Sequence, residues 1–498
     1  MQQPCFTRVK IALFVACIAS STCAVRPEPE TGLGVVRVGV VAPREQGPRG
    51  QTVGVGYLTA ALVRESLIVI GPDGLVQPRL VERWERSDDG RTWRFYLKKG
   101  VLFHDGAALT SQSVVSALEQ QLSGFSGAES IVAIDDTTFE IVQDRSSSFL
   151  LDGMAAVSIG RGDGNALGTG PFRSIAADSP DAGFRAFPLH HRGTPSVEAV
   201  GLHRYEDQRS AWAALMRGEV DVLYEVSPEA REFIDSESSV SVSAFLRPYT
   251  YLLAFNLNHG PFKDKRVRRA LNLAVDRDEI VRTALKGHGA VAFDHLWPRS
   301  WAVTSERSVY APDRREALRL LGADALETLT PGAPGRMPSR LSFKCLVYEP
   351  LEKFALVIQR QLALVDVDMK VELLSAPEMG RRIGRGDFEA FLFELANARM
   401  LGYTYTFWHS QSSDSVRTGY AAADDALDQM RYGQTPEEIK AAVRNVQDVM
   451  RDDPPAIFIA YQEVARAVSR RFEIPSGEED IFHTISRWKL APGVTTDR

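Results

Sequence analysis

The stretch with the most chemistry in it is Leu395–His409, LANARMLGYTYTFWH, where Tyr403, Tyr405, Phe407 and Trp408 crowd beside Arg399 and His409. Aromatic walls with a few placed charges are what a small-molecule cleft needs. Arg399 suits a carboxylate or another anion, because its guanidinium offers paired N–H donors. Two readings stay open: the aromatics line a cleft, or Tyr403, Tyr405 and Phe407 alternate as the buried face of a strand. No Asp occurs between Asp387 and Asp414, and Glu394 is the acid nearest the run, so little here would pair with a ligand's ammonium group. Tyr249, Tyr251 and Trp297 are secondary candidates, each equally readable as core.

Elsewhere the chemistry thins out. There is no G-x-S-x-G elbow, no H-E-x-x-H helix and no C-x-x-C pair. Gly160–Gly164 (GRGDG) lacks the Lys-Ser/Thr that completes a phosphate loop. His190 and His191 are adjacent, and on a strand they would point to opposite faces. Asp88-Asp89, Asp135-Asp136 and Asp424-Asp425 sit at turn or helix-start signals. No catalytic residue, metal ligand or cofactor is therefore expected, and the chain reads as a non-enzyme.

The elements that must hold such a cleft are legible. Trp84, then Trp93, Phe95 and Leu97, alternate with polar residues on either side of Asp88-Asp89-Gly90, which predicts a hairpin. Turn signals recur at Lys99-Gly100 and Asp105-Gly106, and Thr110 then caps a helix with Val114, Val115 and Leu118 on one face. Ile131–Val142 predicts a second hairpin around Asp135-Asp136, and Tyr57–Leu67 a helix. Leu341–Tyr348, Leu351–Leu364 and Val367–Leu374 read as strand, helix and strand, a connection that favours a parallel pair with a right-handed crossover. That is α/β architecture.

With 498 residues, 44% of them hydrophobic, the chain can bury two or more cores. A net charge of -6 argues against nucleic acid as the main partner. At the N-terminus Arg8 and Lys10 precede an apolar run from Ile11 to Ala19, the pattern of a secretory signal. Cys23 is a candidate for lipidation, and ordinary cleavage near Ala24 is the alternative. Three of the four cysteines lie in this segment, which leaves Cys345 without a disulfide partner.

Three blocks carry a family resemblance. The first is Trp84, Asp88-Asp89-Gly90, Trp93, Phe95, Leu97, Gly100, Phe103, His104-Asp105-Gly106, Leu109, Thr110 and Val114-Val115. The second is Gly168-Thr169-Gly170-Pro171-Phe172. The third is Asn256, Pro261-Phe262, Asp264, Val267-Arg268, Ala270-Leu271, Ala274 and Asp276-Arg277. Together they resemble the family 5 extracellular solute-binding proteins, the peptide/nickel-type receptors of bacterial ABC importers. Ser113 departs from the family, which usually carries an acid there and so completes a capping box.

The resemblance implies a two-lobed periplasmic-binding-protein fold, type II-like, with an extra subdomain in the first lobe. Expected boundaries are a signal over 1–24 and a tether over 25–34. The main part of the first lobe takes 35–56, 190–258 and 468–490, the extra subdomain 57–189, the second lobe 259–467, and a tail 491–498. The implied protein is periplasmic, possesses no enzyme activity, and acts as a monomer. It captures an oligopeptide or peptide-like solute and hands it to the permease subunits of an ABC importer. A chelated metal, a sugar, or a sensory or chaperone role on the same scaffold are the alternatives. The expected ligand residues are Arg399, Tyr403, Tyr405, Trp408, His409, Tyr249, Tyr251 and Trp297.

Overall fold

The computed structural model describes residues 34–41, 55–121, 127–162, 167–175, 183–303, 310–322, 341–396, 398–477 and 480–494. The signal, Cys23, most of the tether and the last residues of the tail fall outside them.

Eleven strands form one mixed sheet, numbered here β1 to β11 in chain order. They are β1 Val35–Val41, β2 Phe172–Ile175, β3 Gly183–Ala186, β4 Ala199–Tyr205, β5 Val222–Val226, β6 Val240–Phe255, β7 Gly289–Val291, β8 Leu341–Tyr348, β9 Val367–Leu374, β10 Ala390–Leu395 and β11 Ala456–Ser469. The spatial order is β2-β3-β4-β1-β5-β11-β6-β10-β8-β9, with β7 pairing β11 off that path.

The valines of β1 bury Val36, Val38 and Val40, and the strand lies parallel to both β4 and β5. This half of the sheet, with Phe172 on β2 and Phe184 on β3, packs against Leu58, Leu62 and Trp488 to form the core of one lobe. At the other end β8 is parallel to β9 and β10, as the strand-helix-strand pattern predicts, and the helix Glu352–Ala363 buries Phe354, Ile358 and Leu362 against them. That is the core of the second lobe.

Two strands belong to both lobes. β6 has 16 residues and β11 has 14, paired antiparallel from Val240↔Ser469 to Ala254↔Ala456. At a rise of about 3.3 Å per residue β6 spans roughly 50 Å, enough to cross from one core to the next.

A separate four-stranded sheet is built from Val81–Arg86, Thr92–Leu97, Thr138–Gln143 and Ala128–Asp135, in that spatial order. Trp84 faces Phe95 and Arg86 faces Trp93, as the hairpin predicts, with Gly90 at φ +71° in the turn. The helix Ser111–Gln121 lays Val114, Val115 and Leu118 into the same core as Phe95 and Phe139. Ser113 replaces the missing acid after all: its Oγ accepts the Thr110 N–H at 3.1 Å, while Thr110 Oγ1 accepts the Ser113 N–H at 3.3 Å.

Parts of the 57–189 stretch pack on the large sheet or pair into it. The helix Val55–Val63 stops short of Leu67 and packs on the large sheet, and β2 and β3 pair into that sheet. Gly168 and Gly170 bring the chain back, since a Cβ on either would fall inside contact distance of the Val63 or Leu62 carbonyl oxygen.

Candidate functional site

The middle of β6 is unlike a central strand. From Val240 to Leu246 it pairs with β11 on one edge only, and β10 joins its other edge no earlier than Thr250. Among the described residues the far edge of Val240–Tyr249 therefore has no strand partner. Phe245, Leu246 and Tyr249 are half exposed, although they sit midway across an eleven-stranded sheet. Between Leu246 and Thr250 the register with β11 slips, four positions on β6 facing two on its neighbour. Pro248 sits inside the slip, where a residue without an N–H costs no ladder bond.

Polar groups gather at this bulge. Arg247 Nη1 lies 3.4 Å from Glu394 Oε2 on β10, and the guanidinium carbon stands 3.7 Å from the centre of the Tyr249 ring. Burial works against the Arg247 charge, but Glu394 and Tyr249 outweigh it and leave its pKa raised. Burial pushes Glu394 up, Arg247 pulls it down, and the Glu225 charge adds to the rise. Tyr348 and Phe393 meet edge-on beside them, with ring centres 5.6 Å apart. On the β11 side Glu463, opposite Leu246, accepts from Arg231 at 3.0 Å and lies 3.3 Å from His288 Nδ1.

The loop before the aromatic run is tied to the same bulge. Ala398 N–H donates to Pro248 O at 3.0 Å, and Ala398 O accepts the Trp297 N–H at 3.1 Å. Arg399 follows, its guanidinium carbon 5.0 Å from the centre of the Trp297 ring. It lines a cavity of about 240 Å³ with Leu75, Trp93, Asp152, Trp301 and Gln434, between the extra subdomain and the second lobe.

Two lobes thus share one sheet, two long strands cross between them, and a strand edge lies beside a charged pair. The sequence profile "Bacterial extracellular solute-binding proteins, family 5 Middle" matches residues 76–415. The chain belongs to this family. Among its relatives, the dipeptide-binding protein of Escherichia coli (strain K12) is 25% identical over 458 residues, covering 79% of this chain and 82% of that one. The Bacillus subtilis oligopeptide-binding protein AppA, solved with a nonapeptide, superposes with a TM-score of 0.74 at 20% identity over 93% of this chain and 100% of that one. Campylobacter jejuni NikZ, solved with Ni(L-His), gives 0.73 at 19% identity over 93% and 100%. These two structures establish the fold.

Within the family 5 frame, several expected ligand residues need correction. Leu401–Trp408 is a helix, so neither a strand nor a flat aromatic wall exists there. Positions three and four apart share a helix face, and Leu401, Thr404 and Trp408 take the buried one. Trp408 packs on Phe458 and Tyr420 and is core. His409 is also buried, 3.6 Å from Asp428 and stacked on Tyr405. Trp297 is 2% exposed and packs edge-on against Tyr461, while Tyr251 packs at a tilt on Phe354 and bonds Gln462. All four are buried, and Trp408 also lines a cavity of about 450 Å³ with Asn258, Arg417 and Tyr420.

Tyr403 and Phe407 stay half exposed, and Tyr405 is sandwiched among Phe149, Arg431 and His409. Tyr249 does reach the hinge. Arg247, Glu394, Tyr348 and Phe393 were missed as a group, and the signal that finds them is Pro248: a proline inside a strand marks an edge or a bulge. No helix among the described residues is long and apolar enough to cross a membrane.

Proposed function

We propose that this protein is the extracytoplasmic receptor of an ABC importer and that it captures a peptide or peptide-like solute along the open edge of β6. The observation that carries the reading is that, among the described residues, Val240–Tyr249 has no strand partner on the edge beside Arg247 and Glu394. An extended peptide completes such an edge with main-chain hydrogen bonds, while flanking pockets choose its side chains. A sugar or a compact chelate has no repeating N–H and C=O groups to offer it. Arg247 suits a ligand carboxylate and Glu394 a ligand ammonium; free of ligand, each neutralises the other. The 25% identity with a dipeptide-binding protein agrees with this choice. Arg399, one residue past the Ala398 that holds the bulge, stands as a further cation near the end of the edge.

The lobes close when the ligand binds the closed arrangement more tightly than the open one. A ligand that bridges β6 and the second lobe supplies that difference. The test is calorimetric titration with short peptides carrying free termini and with the same peptides N-methylated at alternate residues. Binding of the parent peptides and its loss on methylation is the expected result. Equal affinity for both, or binding of sugars alone, would overturn the reading.

A further inference from the structure

Away from the hinge, three side chains with metal-binding donors meet. Glu65 follows the helix Val55–Val63 and pairs with Ile159 in a two-strand ladder. His190 and His191 lie in the turns that follow β3, not on a strand, so neighbouring side chains can point the same way. Both imidazoles face one carboxylate oxygen: Glu65 Oε2 is 2.9 Å from His191 Nε2 and 3.7 Å from His190 Nε2. All three donor atoms fall within 4.8 Å of one another. The three side chains are 4%, 5% and 7% exposed for Glu65, His190 and His191. Thr169 Oγ1 donates to the same oxygen at 3.1 Å, from a segment fixed by the close approach of Gly168 and Gly170 to the Leu62–Val63 backbone.

We propose that Glu65, His190 and His191 bind a first-row divalent cation of the zinc type. Four-coordinate zinc with bonds of about 2.0–2.1 Å sets its donors about 3.4 Å apart, and the observed 2.9 and 3.7 Å straddle that spacing. His190 Nε2 has no hydrogen-bond partner among the described residues although the residue is more than nine-tenths buried. A buried polar atom left unmet is costly, and a cation between the imidazoles and Oε2 supplies its partner.

Arg79 Nε lies 3.7 Å from Oε1, the other oxygen, so it steadies the carboxylate without taking the donor position. Binding needs the His191 tautomer that carries its proton on Nδ1, which frees Nε2 for the cation. Two imidazoles and one carboxylate suit zinc, nickel or copper far better than calcium or magnesium. The cation would join chain segments 126 positions apart, so binding adds to the stability of the first lobe.

The experiment uses the full chain without an affinity tag, stripped with a chelator and titrated with Zn²⁺ alone against a chromophoric competitor, then with Co²⁺ for its visible bands. One equivalent bound, tetrahedral Co²⁺ bands and a Zn²⁺-dependent rise in Tm are expected. His190→Ala removes the imidazole whose Nε2 has no hydrogen-bond partner among the described residues, and its Zn²⁺ affinity falls at least tenfold. Glu65→Gln gives a second, independent loss. Failure to bind one equivalent, or unchanged affinity in His190→Ala, overturns the proposal and leaves Glu65 and His191 as a hydrogen-bonded pair only. Peptide affinity measured on the same variants stays as in the parent, which separates this site from the hinge.

Discussion

Arg247 and Glu394 lie 3.4 Å apart on neighbouring strands, at the point where β10 stops pairing with β6 and the strand edge opens. Each is part-buried, and each offsets part of the cost of burying the other's charge. Arg247→Ala is expected to weaken peptide binding at least tenfold, about 1.4 kcal/mol. Glu394→Gln keeps the shape and should weaken peptides with a free ammonium more than N-acetylated ones. Calorimetry on the folded variants reads both; unaltered affinity in Arg247→Ala would remove it from the site.

Asp152 ties the extra subdomain to the second lobe, its Oδ2 accepting the Gly402 N–H at 2.8 Å. Desolvation pushes this carboxyl up from its ordinary 3.8 to about 7. The sign follows from the raised value: the folded arrangement holds its proton more tightly than the unfolded chain. Its stabilising effect is full below about pH 4 and is lost as pH climbs toward 7. Asp152→Asn keeps an acceptor for Gly402 and removes the titration. The Tm of Asp152→Asn minus that of the parent should therefore grow between pH 4 and 7 and then level off. A difference that stays flat over this range would dismiss the effect.

Two glycines in the family blocks answer to different constraints. Gly168 faces the Val63 carbonyl too closely for any side chain, whereas Gly100, at φ +74°, has nothing within 4 Å of where a Cβ would sit. Gly168→Ala should cost more than about 3 kcal/mol, since backbone itself must move. Gly100→Ala should cost about 1 kcal/mol, the strain of a left-handed alanine. Chemical denaturation compares them, and equal losses would show that crowding at Gly168 is relieved elsewhere.

Arg268 is 2% exposed and binds the Pro454 carbonyl at 2.9 Å, the Phe262 carbonyl and Asp453. Arg268→Met has comparable length and no donors. A loss of about 3 kcal/mol is expected, because it strands buried acceptors made for a cation. Peptide affinity of the variant that remains folded should be unchanged, since none of these groups is at the hinge.

The legible parts of this fold are those in which local chemistry alone decides. Asp88-Asp89-Gly90 between alternating aromatics specifies a hairpin wherever it occurs, and the observed Trp84↔Phe95 register follows. The strand-helix-strand of 341–374 is equally local. The aromatic run was misleading because Tyr403, Tyr405 and Phe407 alternate like a strand, while the residues that anchor it, Leu401, Thr404 and Trp408, keep helical spacing. Arg247 and Glu394 are 147 positions apart, and nothing in either neighbourhood announces the other. His190 and His191 point opposite ways only if they lie on a strand, and the turns that hold them remove that premise.

One ladder of main-chain hydrogen bonds runs through β6 and β11 from lobe to lobe. The two halves are therefore joined by a flexure and not by a pair of loose cords. Any rotation of one against the other must bend or twist that ladder, and the slip at Leu246–Thr250 is where it is most compliant. Restoring torque then acts on every captured solute. The lifetime of the complex is set jointly by the grip on the ligand and by the springiness of two β-strands, so substitutions that stiffen Arg247–Tyr249 would change release rates without touching the ligand.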